Sequence, residues 1–506
     1  MSDVDALTIV SNRLPIVMQC TDGGWHIEPG SGGLVQAMTP ILERLGGRWV
    51  GWPGIAAEDG NGWHPELEKI SEEHKYALDP VLLTHDEIEG FYAGFSNSVI
   101  WPLFHGFADR CDFDPEFHRI YLEVNEKFAR TISEKAGQDD FLWIHDYHLI
   151  ETGRLLREHG QRGELAFFLH IPFPSMENFG KLPWRQGILE SLLSYDLIGF
   201  QTERDLRNFL QCIERLDGRL ELEAQQEDMV WIRRGGHTIR AGFFPIGMHF
   251  SEFSHRASTA QVASRVEELR EEIGPYKILL GIDRLDYTKG LIHRLEAFEC
   301  ALEEHPDLLE EVVFFQLVVP SRENVPEYQL LKQDFDRIVG RINGRFSTAS
   351  WQPIRYLYNT VSPEELAALY RMASVAVVTP LRDGMNLVAK EYCACQVDET
   401  GVLLLSEFAG AAAQLGKGAL LINPYDLKAT AAGIHRAITM PQDERIARMR
   451  GLRQVVRSTD VFWWANRFVQ AALSDEIPKT AARTNTYRAR SVYPSPDQHR
   501  SPPVSP

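Results

Sequence analysis

Residues 375–391 read Val-Ala-Val-Val-Thr-Pro-Leu-Arg-Asp-Gly-Met-Asn-Leu-Val-Ala-Lys-Glu. An apolar run without polar alternation marks a strand covered on both faces, as in a parallel sheet between layers of helices. The stretch predicts a strand over Val375–Thr379, a loop with Asp383 and Gly384, and a helix from about Leu387. The first N–H groups and dipole of such a helix suit a phosphate, and Glu391, one turn in, suits ribose hydroxyls. A plain helix start does not need Asp, Gly, Met and Asn together, so the loop is a candidate site.

Outward from this unit the same pattern repeats. Strands are predicted at Leu7–Ser11, Phe141–His145, Leu165–Ile171 and Leu197–Gln201, then at Ile278–Ile282, Val312–Val319, Ile354–Tyr358, Val402–Ser406 and Leu420–Asn423. Two such sets flank Phe244-Pro245-Ile246-Gly247. They predict an α/β protein of two doubly wound, Rossmann-like domains, the second opening with a helix over Ala260–Ile273. The expected division is 1–245, 246–460, a helical segment 461–477, and a basic Pro/Ser/Arg-rich tail, 478–506, expected to be disordered. No sequence repeat of 20–50 residues occurs; the duplication is architectural.

The chain has 506 residues with 52 Lys+Arg against 71 Asp+Glu, a net charge of −19. That balance argues against nonspecific nucleic-acid binding. Any anionic substrate then needs local clusters of Arg and Lys. Its six cysteines (Cys20, Cys111, Cys212, Cys300, Cys393, Cys395) make no disulfide framework. The Cys393-x-Cys395 pair lacks the further ligands that structural zinc requires. No apolar run approaches the roughly 20 residues of a membrane span. The start MSDVDALTIV lacks the features of a secretion signal. A cytoplasmic location is expected, with no membrane partner; a homo-oligomer is left open.

Candidate site residues cluster at predicted strand ends, where open α/β sheets bind ligands. Arg13 closes the first strand, and the turn Gly30-Ser31-Gly32-Gly33-Leu34 offers close backbone approach to a ligand, although by itself it reads better as a plain tight turn. Tyr92, Asn97 and Trp101 lie in FYAGFSNSVIW, which fits an aromatic core face or flat walls for a sugar ring. Asp146 and His148 follow one strand and His170 ends the next; they offer metal donors, but no compact ligand spacing, and no metal or cofactor is expected. Arg284 and Lys289 in GIDRLDYTKG suit a diphosphate, and Arg322 follows the next strand.

Together these motifs, spread over about Leu7 to Leu473, resemble the trehalose-6-phosphate synthases, retaining glycosyltransferases of the GT-B fold. The resemblance implies an active site in a cleft between the two domains and a last helix, Phe462–Leu473, that crosses back to the first. It also implies that Gly32, Gly33, Arg284 and Lys289 hold a donor diphosphate. Leu387, Val388, Ala389, Lys390 and Glu391 would hold the nucleotide, with Val361 offering a backbone contact to the base. Arg13, Tyr92, Trp101, Asp146 and Arg322 match acceptor positions, and His170 and Asp383 lie beside the donor glucose. Arg284, Lys289, His170 and Asp383 would form the catalytic set.

The implied reaction transfers glucose from UDP-glucose to glucose 6-phosphate with retention, the leaving phosphate oxygen taking the acceptor proton. The sequence also departs from the family pattern. Gly106-Phe107-Ala108-Asp109 replaces the usual aromatic-basic continuation after His105, and residues 174–185 look closer to glucosylglycerol-phosphate synthases. Those would use glycerol 3-phosphate, with ADP-glucose as a further candidate donor. A catalytically inactive sugar-phosphate sensor is a third reading.

Overall fold

The computed structural model describes residues 7–474 apart from 22–23, 31, 61, 217–219, 227 and 323–324. The basic tail therefore lies outside the described residues. Two main sheets carry the fold. In the first, the order across the sheet is Ala77–Pro80, Arg48–Trp52, Leu7–Arg13, Phe141–His145, Leu165–Phe168, Leu197–Phe200, His237–Phe243, Met229–Arg234 and Leu220–Gln225. Its first seven strands are parallel and the last two antiparallel. The second sheet is wholly parallel, ordered Ile354–Tyr358, Val312–Val319, Lys277–Arg284, Val375–Val378, Val402–Ser406 and Leu420–Ile422.

Among the parallel strands, chain order reverses once in each sheet. In the first, Leu7–Arg13 is flanked by Arg48–Trp52 and Phe141–His145; in the second, Lys277–Arg284 is flanked by Val312–Val319 and Val375–Val378. A crevice opens at such a reversal, outside the carboxyl ends of the strands. Arg13 and Asp146 stand at one crevice, and Arg284 and the 379–386 loop at the other.

The central strands bury every residue of Phe141–His145, Leu165–Phe168 and Val375–Val378, which is why their sequences show no alternation. The missed strands are those whose sequences carry polar or turn-forming residues: Arg48–Trp52, Ala77–Pro80, a hairpin at Ile16–Thr21 and Gly24–Pro29, and the antiparallel edge. Residues 88–100 form a wide helix, in which the amide of Trp101 reaches the carbonyl of Ser96, five residues back. Asn97 and Ser98 bond the Tyr92 and Ala93 carbonyls with the same spacing, at 2.7 and 2.8 Å.

The last described helix, Val461–Leu473, lies on the first sheet. Phe468 stacks on Trp143 with centroids 4.5 Å apart, and Arg240 donates to the carbonyls of Ala471, Ala472 and Ser474. Gly247 runs so close to Asp460 that a Cβ there would lie 2.2 Å from the Asp460 carbonyl carbon, so both interlobe crossings pass side by side. No described helix is long and apolar enough to cross a membrane.

Candidate active site

The loop after Val375–Val378 is built around Asp383. Its carboxylate accepts from Lys289 Nζ at 2.6 Å and from Asn386 Nδ2 at 3.1 Å. Burial alone would raise this carboxyl, but the Lys289 ammonium, His105 and the Asn386 amide together hold Asp383 below its ordinary value. Asn386 adopts φ +82° and caps the helix Leu387–Cys395 by accepting from the Ala389 amide at 3.1 Å. With that amide engaged, Leu387 and Val388 present the N–H groups at the open end, without intrahelical partners.

The Lys390 side chain turns away from the open end of this helix. Its ammonium is buried and donates to the Ile246 carbonyl and to Gln414 Oε1, each at 2.6 Å. The side chain therefore ties the helix to the interlobe linker. Ala389 is wholly buried. Glu391 is buried too, and its Oε2 accepts from Tyr370 Oη at 2.8 Å; burial pushes its carboxyl up. Val361 lies one residue before Ser362, which caps the Pro363–Met372 helix that carries Tyr370.

A second helix start faces this one. Gly32 (φ +141°) precedes the helix Gly33–Leu45, and a Cβ on Gly33 would come within 2.8 Å of Leu387 Cδ1. The lobes meet again at Gly384, where a Cβ would lie 2.1 Å from the His170 carbonyl oxygen. His170 shares a 3.1 Å contact with His145, and burial brings its pKa down to about 3, so its ring is neutral. Among the described residues Arg284 holds no hydrogen bond or ion pair; its guanidinium stands exposed at the strand end.

Tyr92 marks a second pocket. Burial would raise its hydroxyl, but Arg322, Arg13 and Arg284 together bring it below its ordinary value. Those arginines come from both lobes. Arg13 lies 4.0 Å over the Trp52 ring, and Arg322 lies 4.6 Å over Trp101. Arg322 (φ +50°) also reaches Tyr328 and approaches Asp286 to 3.8 Å. Asp146 (φ +75°) accepts from the His170 amide at 3.2 Å, and burial pushes its carboxyl up to about 7. Several buried polar atoms here have no partner among the described residues: Trp101 Nε1, Asn12 Oδ1, Arg322 Nε and both ring nitrogens of His148. Such orphans cost free energy unless a ligand or water meets them.

Sequence reasoning missed Trp52, against which Arg13 packs, and Gly54, which leaves room for the guanidinium; the strand Arg-Trp-Val-Gly-Trp is mostly apolar but short and interrupted by Gly51. It also missed His105, buried near Lys289 and Asp383 and lowered to about 4 by that burial. The one described group of metal-donor side chains is His305, Asp307 and His435. There the two imidazoles stack face to face at 4.1 Å and 12°, so their in-plane lone pairs run side by side rather than converge, and His435 already pairs with Asp307 at 2.9 Å.

Two facing Rossmann-like lobes with a cation-lined cleft at their switch points define a glycosyltransferase of the GT-B fold. The family model for glycosyltransferase family 20 matches residues 5–474, and the chain belongs to that family. It is 42% identical over 481 residues to a bifunctional trehalose-6-phosphate synthase/phosphatase of Thermoproteus tenax, an alignment covering 92% of this chain and 63% of that one. The chain thus spans less than two thirds of that relative's length. A trehalose-6-phosphate synthase of Mycolicibacterium vanbaalenii is 40% identical, with 92% of this chain and 96% of that one covered. The crystal structure of an alpha,alpha-trehalose-phosphate synthase (UDP-forming) from Burkholderia xenovorans in complex with glucose-6-phosphate is similar at a TM-score of 0.84 and 36% identity, covering 92% of this chain and 100% of that one.

Proposed function

We propose that the chain is a retaining glucosyltransferase that moves glucose from UDP-glucose to glucose 6-phosphate, giving trehalose 6-phosphate and UDP. The observation that carries this reading is the presence of two cationic sets, one at each switch point, with Arg284 acting on Tyr92 across the two. Arg284, Lys289 and the amides of Leu387 and Val388 face the donor diphosphate; Arg13 and Arg322, beside Tyr92 and Trp101, face the acceptor phosphate.

In this reading Gly32 and Gly33 let the chain approach the diphosphate, Glu391 accepts ribose hydroxyls, and the Val361 backbone meets the base. Residues 1–245 and 246–460 act as the two lobes, and 461–477 returns to the first. As the bond from C1 to the diphosphate oxygen breaks, negative charge gathers on UDP. Arg284, Lys289 and the helix start absorb it, a preorganised electrostatic contribution that needs no protein nucleophile. The acceptor hydroxyl attacks from the same face and gives its proton to the departing oxygen. His170 and Asp383 line the donor sugar. Asp383 stays ionised through Lys289, and His170 stays neutral through burial, so neither competes for the transferred proton.

The names of the relatives support glucose 6-phosphate over glycerol 3-phosphate, and the intact Arg284–Lys289–Asp383 cluster supports turnover over sensing. Purified protein incubated with UDP-glucose should release UDP with glucose 6-phosphate and not with glycerol 3-phosphate. Release only with the three-carbon acceptor, or with neither, would overturn the reading.

A further inference from the structure

His148 is 8% exposed, yet both of its ring nitrogens lack a partner among the described residues. The residue is fixed by its backbone: its carbonyl accepts from Asn125 Nδ2 at 3.1 Å, in the turn Tyr147–Leu149 after the strand Phe141–His145. Its ring is fixed by stacking, parallel to Tyr92 within 10° at 5.9 Å and against Tyr147 at 3.9 Å. A side chain held so firmly with both polar atoms unmet is costly, unless something outside the protein meets them.

The surroundings specify the chemistry of that ligand. Burial, aided by Arg322 and Arg13, brings the imidazole down to about 3, so the ring is neutral with one N–H donor and one lone pair. A neutral ring adds little for an anion, which the arginines already serve. It matches a hydroxyl at one of its two nitrogens, which point to different edges of the ring: the hydroxyl accepts from the N–H or donates to the lone pair. We infer that His148 is a specificity-determining residue of the acceptor pocket, whose imidazole meets a ring hydroxyl of the sugar whose phosphate Arg13 and Arg322 hold. This rests on the proposed sugar-phosphate reading of the pocket and extends it to the feature that separates a hexose from a shorter polyol chain.

The test compares His148→Phe, which keeps the stack on Tyr92 but removes both nitrogens, with His148→Gln, which restores a donor and an acceptor. The KM for glucose 6-phosphate should rise about 10- to 100-fold in the Phe variant, on the scale of one or two lost buried hydrogen bonds. The inhibition constant of inorganic phosphate, which reads only the arginines, should stay within about twofold, and the Gln variant should recover part of the loss. Deoxy analogues of glucose 6-phosphate, tested on unaltered protein, should include one whose penalty matches that of the Phe variant. The inference fails if KM stays within twofold, if phosphate inhibition weakens in proportion, or if no deoxy analogue is penalised. Unaltered protein that releases no UDP with glucose 6-phosphate would remove the underlying function, and this inference with it.

Discussion

Lys289 Nζ and Asp383 Oδ2 lie 2.6 Å apart and join the turn after one central strand of the second sheet to the loop after its neighbour. The pair spans the switch point itself. Lys289 and Asp383 balance each other within the protein, while the Arg284 side chain holds no ion pair among the described residues, so Arg284 is the cation this crevice leaves open to an anion in a chain whose overall charge is −19.

Replacing Lys289 with Ala removes a charge-stabilising donor and leaves Asp383 as an uncompensated buried carboxylate. Both effects oppose an anionic leaving group. The expected loss in kcat is on the order of 10²–10³, by comparison with removal of a preorganised donor elsewhere. Single-turnover UDP release checks it, and near-normal turnover would exclude the electrostatic role.

Gly54 (φ +94°) leaves the space that Arg13 occupies: a Cβ there would lie 1.9 Å from Arg13 Nη1. Gly54→Ala therefore combines backbone strain with displacement of the guanidinium from Trp52. The acceptor KM should rise by about tenfold, equivalent to ~1.4 kcal/mol, while UDP binding holds. Acceptor titration beside UDP titration by calorimetry separates the two.

Asp146 sets a pH dependence. Burial raises its carboxyl to about 7, against the partial relief of the Tyr147, His170 and Ile171 amides and the Arg284 charge. In the unfolded chain it ionises near 3.8, so between that value and about 7 the folded state binds the extra proton. Stability attributable to this group is therefore greatest at low pH and falls as pH rises through that window. Asp146→Asn should flatten this part of a denaturation-midpoint profile between pH 4 and 8. Acceptor kcat/KM should rise through about 7 in unaltered protein, as the ionised oxygen becomes a hydroxyl acceptor, and the Asn variant should lack that limb. An identical pair of profiles would exclude Asp146 as the titrating group.

How much of this was legible depended on burial. Val312–Val319 and Val402–Ser406 match their predicted bounds because strands inside a covered parallel sheet are nearly continuous apolar runs, whereas Ile354–Tyr358, a partly exposed edge strand, matches on its β-branched and aromatic residues. Arg48–Trp52 was not legible: its ends meet glycines, and Arg48 pairs with Asp79 on the neighbouring strand. The site residues were legible where strand ends carry charge, as at Arg13, Arg284 and Arg322. Lys390 shows the limit. Helical spacing places it near a binding loop, but which way an ammonium turns depends on carbonyls far away in sequence, here Ile246.

That placement gives the last prediction. Lys390 joins the helix Leu387–Cys395 to Ile246 and Gln414, and Gln414 Nε2 in turn reaches Thr459 Oγ1 at 3.4 Å, so both interlobe crossings share one buried cation. Lys390→Met keeps the stem and removes the donors, leaving the Ile246 carbonyl and Gln414 Oε1 without this partner. The expected cost is about 1–3 kcal/mol of stability for an orphaned buried acceptor. UDP affinity should fall far less than in Lys289→Ala, because the side chain meets the linker and not the diphosphate. Urea unfolding and UDP titration of the two variants check this side by side. A Lys390→Met protein of unchanged stability but weakened UDP binding would return Lys390 to the donor site.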